Sequence, residues 1–318
     1  MSVQRFATID LGTNTALLLI AERHGQDFVP VFERAEITRL GEGVDAERRL
    51  LPVAMQRSAR MLAEYAEKAR EYGVRQENLI AVSTSAARDA LNRDELIEMV
   101  KSEAGIGLTV IPGEEEARLT WIGATADMPA EEGQELCVFD IGGGSSELIF
   151  GTKEGGIRTR RSFDVGSVRM TERFLKGDPP TAEERRTLFA HLKAVFSPVR
   201  EMFSSDDGAR AFPAFIGVAG TVTTLFTLIH GIEPYDAERV HGERMDVYEL
   251  SVLLDKLFSL SVEERKQLRG MEPKRADVIA AGGAVLLSAM EEVGVSHLTV
   301  SDRGLRWGLL RDRFAARS

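Results

Sequence analysis

The stretch Ile9-Asp10-Leu11-Gly12-Thr13-Asn14-Thr15 decides the fold once it is set beside a second one 130 positions on (Asp10 to Asp140), Phe139-Asp140-Ile141-Gly142-Gly143-Gly144-Ser145-Ser146-Glu147. Each reads as an apolar strand ending in Asp, a glycine turn and a second strand. Glycine lets the backbone approach a ligand closely and adopt unusual dihedrals. Successive N–H groups in such a turn form a concavity that binds anions. The neighbouring Asp suits a hard cation such as magnesium, held directly or through water. One turn of this kind also occurs in ordinary hairpins. Two copies, each after an apolar strand, suggest a duplicated phosphate-binding unit with the ligand between the halves.

Working outward, the order of elements repeats as well. Residues 4–10, 15–22 and 27–38 read as three strands, with turns at Gly12 and at Gly25-Gln26. A helix over 52–72 follows, with Pro52 near its start and Gly73 closing it. Then come a strand at 79–83, helices at 84–91 and 94–104, a strand at 108–111 and a helix at 114–126. A polar, turn-rich segment from Met128 to Gly133 marks a boundary. Strands at 135–141, 145–151 and 156–165 restart the pattern. Helices follow at 167–176 and 181–203, then a strand at 215–218 and a helix from Gly220 to about Ile229. Further helices are expected at 246–259, 262–269 and 274–293, with a last strand at 297–301 and a last helix from Gly304 to Phe314. The expected class is α/β, as two domains, 1–127 and 128–303, with the segment 304–318 packing back on the first.

The composition narrows the function. A chain of 318 residues with 43% hydrophobic content fills two cores of ordinary size. A net charge of −10 argues against nucleic acid or anionic membrane as a partner, since both need a basic surface. A polyanionic substrate stays open, because a bound metal and a few Arg residues make a cleft locally positive. The single Cys137 excludes an intramolecular disulfide framework and a Cys-based zinc site. No apolar run reaches membrane-spanning length, and the N-terminus reads as a strand rather than a signal peptide, so the expected compartment is the cytoplasm.

Other stretches have the chemistry of a phosphate site. Ser83-Thr84-Ser85-Ala86-Ala87-Arg88 joins a strand to a helix start, where free N–H groups and hydroxyls bind anions and Arg88 can clamp a phosphate. The same residues also suit a plain helix cap with a surface Arg. Gly217-Val218-Ala219-Gly220-Thr221 repeats the design in the second half, and close helix–strand packing is its alternative reading. Gly113-Glu114-Glu115-Glu116-Ala117-Arg118-Leu119 opens a helix, where acidic residues are favoured by the helix dipole alone. Successive positions point about 100° apart, so at most one or two of these carboxylates face a cleft, where one could deprotonate a water. Arg275, ahead of Ala280-Ala281-Gly282-Gly283-Ala284, is a further candidate phosphate ligand. The five histidines show no metal-ligand spacing.

Taken together these residues resemble the exopolyphosphatase / guanosine pentaphosphate phosphohydrolase (Ppx/GppA) family of the actin-like ATPase superfamily. The resemblance runs through I-D-L-G-T-N-T (9–15), R-L-G-E-G (39–43), S-T-S-A-A-R-D-A (83–90), P-G-E-E-E-A-R-L (112–119), D-I-G-G-G-S-S-E-L (140–148), V-G-S-V-R-M-T-E-R-F (165–174), G-V-A-G-T-V-T-T-L (217–225), R-A-D-V-I-A-A-G (275–282) and G-L-R-W-G-L-L (304–310). It implies two ribonuclease H-like (actin-like ATPase) domains with the active site in the cleft between them. It also implies Glu116 as catalytic residue, with Asp10, Asp140 and Glu147 around magnesium or another divalent cation. The phosphate-binding set it implies is Gly12, Thr13, Asn14, Thr15, Arg88, Gly142, Gly143, Gly144, Ser145, Gly220, Thr221 and Arg275. Ser is more usual in the family at positions 13 and 15; Thr keeps the hydroxyl. Longer members carry a further C-terminal helical region, so the resemblance is to the short two-domain form, with a weaker hold on long polyphosphate and a possible homodimer as its state.

The expected reaction releases terminal orthophosphate from inorganic polyphosphate, from guanosine pentaphosphate, or from both. The residues do not choose between these substrates. Two other classes remain open: an actin-like small-molecule kinase, for which no insertion offers an acceptor pocket, and a guanosine-nucleotide-binding regulator with weak turnover.

Overall fold

The computed structural model describes residues 4–25, 27–199 and 214–315. The chain divides into two compact units. One runs to Gly123 and takes up the chain again at Arg303; the other is Ala124–Asp302.

The first unit is built on a five-stranded sheet of order β3-β2-β1-β4-β5. Its strands are β1 (Arg5–Leu11), β2 (Thr15–His24), β3 (Asp27–Ile37), β4 (Leu79–Ser83) and β5 (Leu108–Val110). The first three form an antiparallel meander, and β4 and β5 add in parallel. Between them lie α1 (Val44–Glu47), α2 (Pro52–Glu71), α3 (Ser85–Asp89), α4 (Arg93–Ala104) and α5 (Gly113–Thr125). Alternation along β1 sets the layers. Ala7, Ile9 and Leu11 join the core that includes Met55, Ala59 and Leu62 of α2. Phe6 joins a smaller cluster with Trp307 and Leu310 of α12 (Leu305–Phe314), and Thr8 Oγ1 donates to the Arg306 carbonyl at 3.0 Å. Asp10 has the parity of Phe6 and Thr8, and is the half-buried position at the end of an otherwise buried run.

The second unit repeats this plan. Its sheet order is β10-β11-β9-β6-β7-β8. The meander is β6 (Leu136–Ile141), β7 (Ser146–Thr152) and β8 (Gly156–Phe163), and β9 (Ala214–Val218) and β11 (His297–Val300) add in parallel. Both sheets therefore share the order third, second, first, fourth, fifth. The addition is β10 (Arg244–Asp246), an antiparallel edge strand. Helices α6 (Ser167–Phe174), α7 (Ala182–Phe196), α8 (Ala219–His230), α9 (Val247–Ser259), α10 (Val262–Arg265) and α11 (Ile279–Val293) complete the unit. Helix α11 is buried on every side from Ile279 to Met290 and sits in the core.

Three departures from the sequence reading have local causes. The helix expected from 274 begins at Ile279 instead. Ahead of it Pro273–Arg275 forms a single tight turn, with Glu272 accepting from the Lys274 N–H, while the Ala276 carbonyl accepts from Arg265 Nη1 at 3.2 Å. Strand β10 and helix α1 span three and four residues and are too short to leave a periodic signature. Gln26, residues 200–203 of the helix expected over 181–203, and residues 316–318 lie outside the described residues. Among the described residues no helix is long and apolar enough to cross a membrane.

Candidate active site

The two glycine turns are closed in the same way. Gly12 N–H donates to the Thr15 carbonyl at 3.0 Å, and Gly142 N–H to the Ser145 carbonyl at 3.0 Å. In each unit a later segment then takes up the turn's carbonyls. In the first, Gly41 N–H reaches the Thr13 carbonyl at 2.8 Å, and the N–H groups of Thr38 and Arg39 reach that of Asn14, both at 3.0 Å. In the second, Ser167 N–H reaches the Gly142 carbonyl at 3.0 Å, while the N–H groups of Val168 and Arg169 share that of Gly143 at 2.9 and 3.1 Å. With these carbonyls engaged, the N–H groups of Thr13, Asn14, Gly143 and Gly144 donate to no acceptor among the described residues. That is the arrangement an anion needs.

Both locking segments pass very close to their turns. A β-carbon at Gly41 would overlap the Thr13 methyl group, and one at Gly166 would stand 2.5 Å from the Gly143 carbonyl carbon and oxygen. Arg57 of α2 secures the first segment, donating to the carbonyls of Thr38 and Arg39 and pairing with Glu42 at 3.6 Å. Arg39 itself holds a positive φ of 50°, which a non-glycine residue adopts at a cost. Here Asn14 Nδ2 and Thr38 Oγ1 are buried without a hydrogen-bond partner. A buried orphan donor beside free N–H groups fits an anion as its partner.

The acid and the base of the first unit lie together. Glu116 is buried in the first turn of α5, and its Oε2 accepts from Arg88 Nη1 at 2.7 Å. Thr84 also donates to it through its side chain. Burial pushes the Glu116 carboxyl above the ordinary carboxylate range, against the opposing pull of Arg88 and Thr84. The hydroxyls of Thr13 and Ser85 join at 2.8 Å, tying the first turn to the start of α3. Of the three successive carboxylates, Glu114 faces solvent and Glu115 is bound by Arg118 at 2.8 Å.

Helix α5 is held tightly against α12. β-Carbons at Gly123 and Gly308 would overlap the Gly304 and Leu119 carbonyl oxygens, so the two backbones touch. Arg118 bridges to Asp312 at 2.8 Å and Arg313 to Glu115 at 3.3 Å.

In the second unit Asp140 and Glu147 sit directly opposite each other on β6 and β7. Ser162, opposite Glu147 on β8, donates to its Oε1 at 2.9 Å. Two carboxylates face to face repel unless a cation or proton lies between them. Hard oxygen donors of this kind fit magnesium, which commonly takes one or two carboxylates and completes its shell with water and substrate phosphate. No group of three or more His, Cys, Asp or Glu side chains is arranged to hold a metal among the described residues. Across from Asp10 stands Leu17, with no second carboxylate.

The turn before α8 carries Ala219 at φ 72°, a strained value for alanine. The hydroxyls of Thr223 and Thr224 both reach back to the Gly220 carbonyl, at 3.4 and 2.6 Å. The Arg275 guanidinium lies flat against Gly220, in space that a β-carbon would occupy. Burial lowers the pKa of that guanidinium. The Thr221 side chain is buried against Gly282, which explains the glycine at that position of α11.

Of the residues singled out from the sequence, Thr13 meets the Ser83–Arg88 motif, Arg88 meets Glu116, Asp140 meets Glu147, and Gly220 meets Arg275. Asp10 and Asp140 belong to different units. Thr84, Arg57, Ser162 and the locking glycines Gly41 and Gly166 were not singled out as site residues. The only signal for the last two was that R-L-G-E-G and V-G-S-V-R carry the family resemblance.

Residues 19–316 match the model of the Ppx/GppA phosphatase family. The chain belongs to that family. It is 35% identical over 323 aligned positions to "Exopolyphosphatase 2" of Mycobacterium tuberculosis, covering 97% of this chain and 98% of that one. It is 28% identical to a "Guanosine-5'-triphosphate,3'-diphosphate pyrophosphatase" of Aeromonas hydrophila, covering 96% of this chain and 58% of that longer one. Among solved structures, the Aquifex aeolicus Ppx/GppA family member superposes with a TM-score of 0.78 at 34% identity, over 98% of this chain and 97% of that one. An exopolyphosphatase from Cytophaga hutchinsonii gives 0.86 at 28% identity, over 96% of each. The two-sheet α/β architecture is the actin-like ATPase fold of these Ppx/GppA structures.

Proposed function

We propose that this Ppx/GppA protein hydrolyses a terminal phosphoanhydride, releasing orthophosphate from inorganic polyphosphate, guanosine pentaphosphate, or both. The observation that carries the reading is the buried Glu116, placed by Arg88 and Thr84 at the start of α5, in the unit whose first turn offers free N–H groups and hydroxyls.

Glu116 takes a proton from a water and aims its oxygen at the terminal phosphorus. The new P–O bond forms as the bridging P–O bond breaks. The bond pair leaves on the shortened chain, and the proton rests on the Glu116 carboxyl until solvent removes it. Arg88 opposes protonation of the carboxylate, and its guanidinium also meets the phosphate oxygens of bound substrate. In the first unit the N–H groups of Thr13 and Asn14, with the Thr15 hydroxyl and the Gly12 turn, bind phosphate oxygens. In the second, the N–H groups of Gly143 and Gly144, in the turn that Gly142 and Ser145 close, do the same, with Arg275 on Gly220 and the N–H of Thr221. A divalent cation would be held by Asp140 and Glu147, with Asp10 as the corresponding group of the first unit. When bound it neutralises charge on the phosphates.

The test is orthophosphate release from long polyphosphate, short polyphosphate and guanosine pentaphosphate, with magnesium or with EDTA, for wild type and Glu116→Ala. Metal-dependent release that the variant loses supports the reading. Release that survives in Glu116→Ala removes Glu116 from the chemistry, and release from none of the three removes the hydrolase.

A further inference from the structure

We propose that Arg265 is a positioning residue for the phosphate site of the second unit: from inside the core it holds the Pro273–Arg275 turn in place, so that the Arg275 guanidinium stays on Gly220. The inference rests on the proposed role of Arg275 as a phosphate ligand.

Arg265 is the last residue of α10 and is only 1% exposed. Its side chain bonds to backbone carbonyls. Nε donates to Leu257, in the last turn of α9, at 2.8 Å, and Nη1 donates to Ala276 at 3.2 Å. Nη2 is buried with no hydrogen-bond partner. Asp178 and Asp277 act on the guanidinium through their charge alone. A cation buried in this way is destabilising, and an apolar side chain of similar volume would fill the space at less cost. What the guanidinium adds is its rigid fork of donors. One planar group ties the end of α9 to the residue that follows Arg275.

The chain between Arg265 and Arg275 runs back along α8. Arg269 lies against Gly231, just past the end of that helix, Gly270 lies against Thr227, and Arg275 lies against Gly220 in its first turn. The Gly270 contact is a first anchor. Thr227 Oγ1 donates to the Gly270 carbonyl at 2.7 Å. Gly270 holds a φ of 87°, and a β-carbon there would stand 2.2 Å from the Thr227 carbonyl oxygen. From that anchor the chain must still carry Arg275 about 10 Å along α8, the rise from Thr227 back to Gly220. The turn that does so is closed by near neighbours. Glu272 accepts from the Lys274 N–H through its side chain, and its carbonyl accepts from the Arg275 N–H at 2.8 Å. Those bonds fix the shape of the turn. Arg265, reaching the Ala276 carbonyl, fixes its place.

The experiment measures equilibrium binding of tripolyphosphate, with magnesium, to wild type, Arg265→Met, Arg275→Gln and the double variant, together with the denaturant unfolding of each. Arg275→Gln should weaken binding about ten- to a hundred-fold, the usual worth of a hydrogen bond to a charged group. Arg265→Met keeps the volume of the side chain. It should weaken binding roughly ten-fold through misplacement of Arg275, with an unfolding midpoint at or above that of wild type. In the double variant it should add nothing to the loss from Arg275→Gln, since both act through one guanidinium. Wild-type binding by Arg265→Met beside weak binding by Arg275→Gln overturns the inference, and so do losses that add in the double variant. If Arg265→Met does not fold, Arg265→Lys, which keeps the charge and loses the fork, takes its place in the same cycle. If neither folds, Arg265 serves the fold and the inference is overturned. No binding by wild type, or wild-type binding by Arg275→Gln, instead removes the phosphate-ligand reading of Arg275, and the inference falls with it.

Discussion

The two units share one sheet order and one way of closing a glycine turn, yet they equip it differently. The first turn is Gly-Thr-Asn-Thr, rich in hydroxyl and amide side chains, and its unit also carries the buried Glu116–Arg88 pair. The second is Gly-Gly-Gly-Ser, almost bare backbone, beside two facing carboxylates and the guanidinium on Gly220. The closed backbone turn is common to both units, and the side chains around it are what differ. In the proposed reaction the first unit supplies proton transfer, and the second supplies the cation and most of the charge neutralisation.

The division is open to attack at several points. The largest expected effect is that of Glu116→Gln, which removes the base while keeping its shape. It should lower kcat by about 100- to 10,000-fold, the usual contribution of a positioned general base, and leave KM nearly unchanged. Single-turnover phosphate release checks this, and a variant that keeps most of its activity would falsify the role.

Next come the carboxylates. If the cation belongs to the second unit, Asp140→Asn should raise the magnesium concentration for half-maximal activity far more than Asp10→Asn. Equal shifts would place both units on the metal and blur the contrast. A magnesium titration of the two variants decides it.

A smaller effect concerns pH. In the proposed reaction Glu116 must be deprotonated to act, and burial holds its carboxyl above the ordinary carboxylate range. Activity should therefore rise with pH through an acid limb whose midpoint lies above the ordinary carboxylate range. Arg88 opposes the shift, so Arg88→Gln should move the limb to still higher pH, besides weakening phosphate binding. A limb that moves down, or stays fixed, in a kcat/KM profile would mean that another group titrates there.

The smallest contrast is one of stability. Gly41→Ala meets a methyl group, whereas Gly166→Ala meets backbone of the second turn. Overpacking of this kind costs about 1–3 kcal/mol. Gly166→Ala should lie at the upper end and Gly41→Ala at the lower, as read by denaturant unfolding.

Much of this was legible in the sequence. Strands of five or more residues with apolar runs, and helices with clear ends such as Pro52–Glu71, follow from local pattern. The glycine turns declare themselves as Asp-x-Gly after an apolar strand, twice in the chain. What stayed hidden depends on contacts distant in sequence. Nothing near Gly41 or Gly166 reveals that their chains lie over turns more than twenty residues upstream. The Thr84 hydroxyl reads as an ordinary helix cap until Glu116, thirty-two positions on, is seen to receive it. Arg275 looks like a solvated charge until Gly220, fifty-five positions earlier, is found beneath it. The helix expected from 274 starts late because Pro273–Arg275 closes a turn of its own, capped by Glu272, and only Arg265, eleven positions before Ala276, shows how the Ala276 carbonyl is then held.

The packing of α12 has a consequence for how the protein is made. Phe6 and Leu19 share a cluster with Trp307 and Leu310, which follow them in the chain by about three hundred positions. A ribosome adds about 5–20 residues per second, so for tens of seconds one face of the first sheet waits without its cover while the whole second unit emerges. The first unit, which takes up the chain again at Arg303, is therefore the later of the two to be completed, and its nascent sheet is where a chaperone would have most to protect.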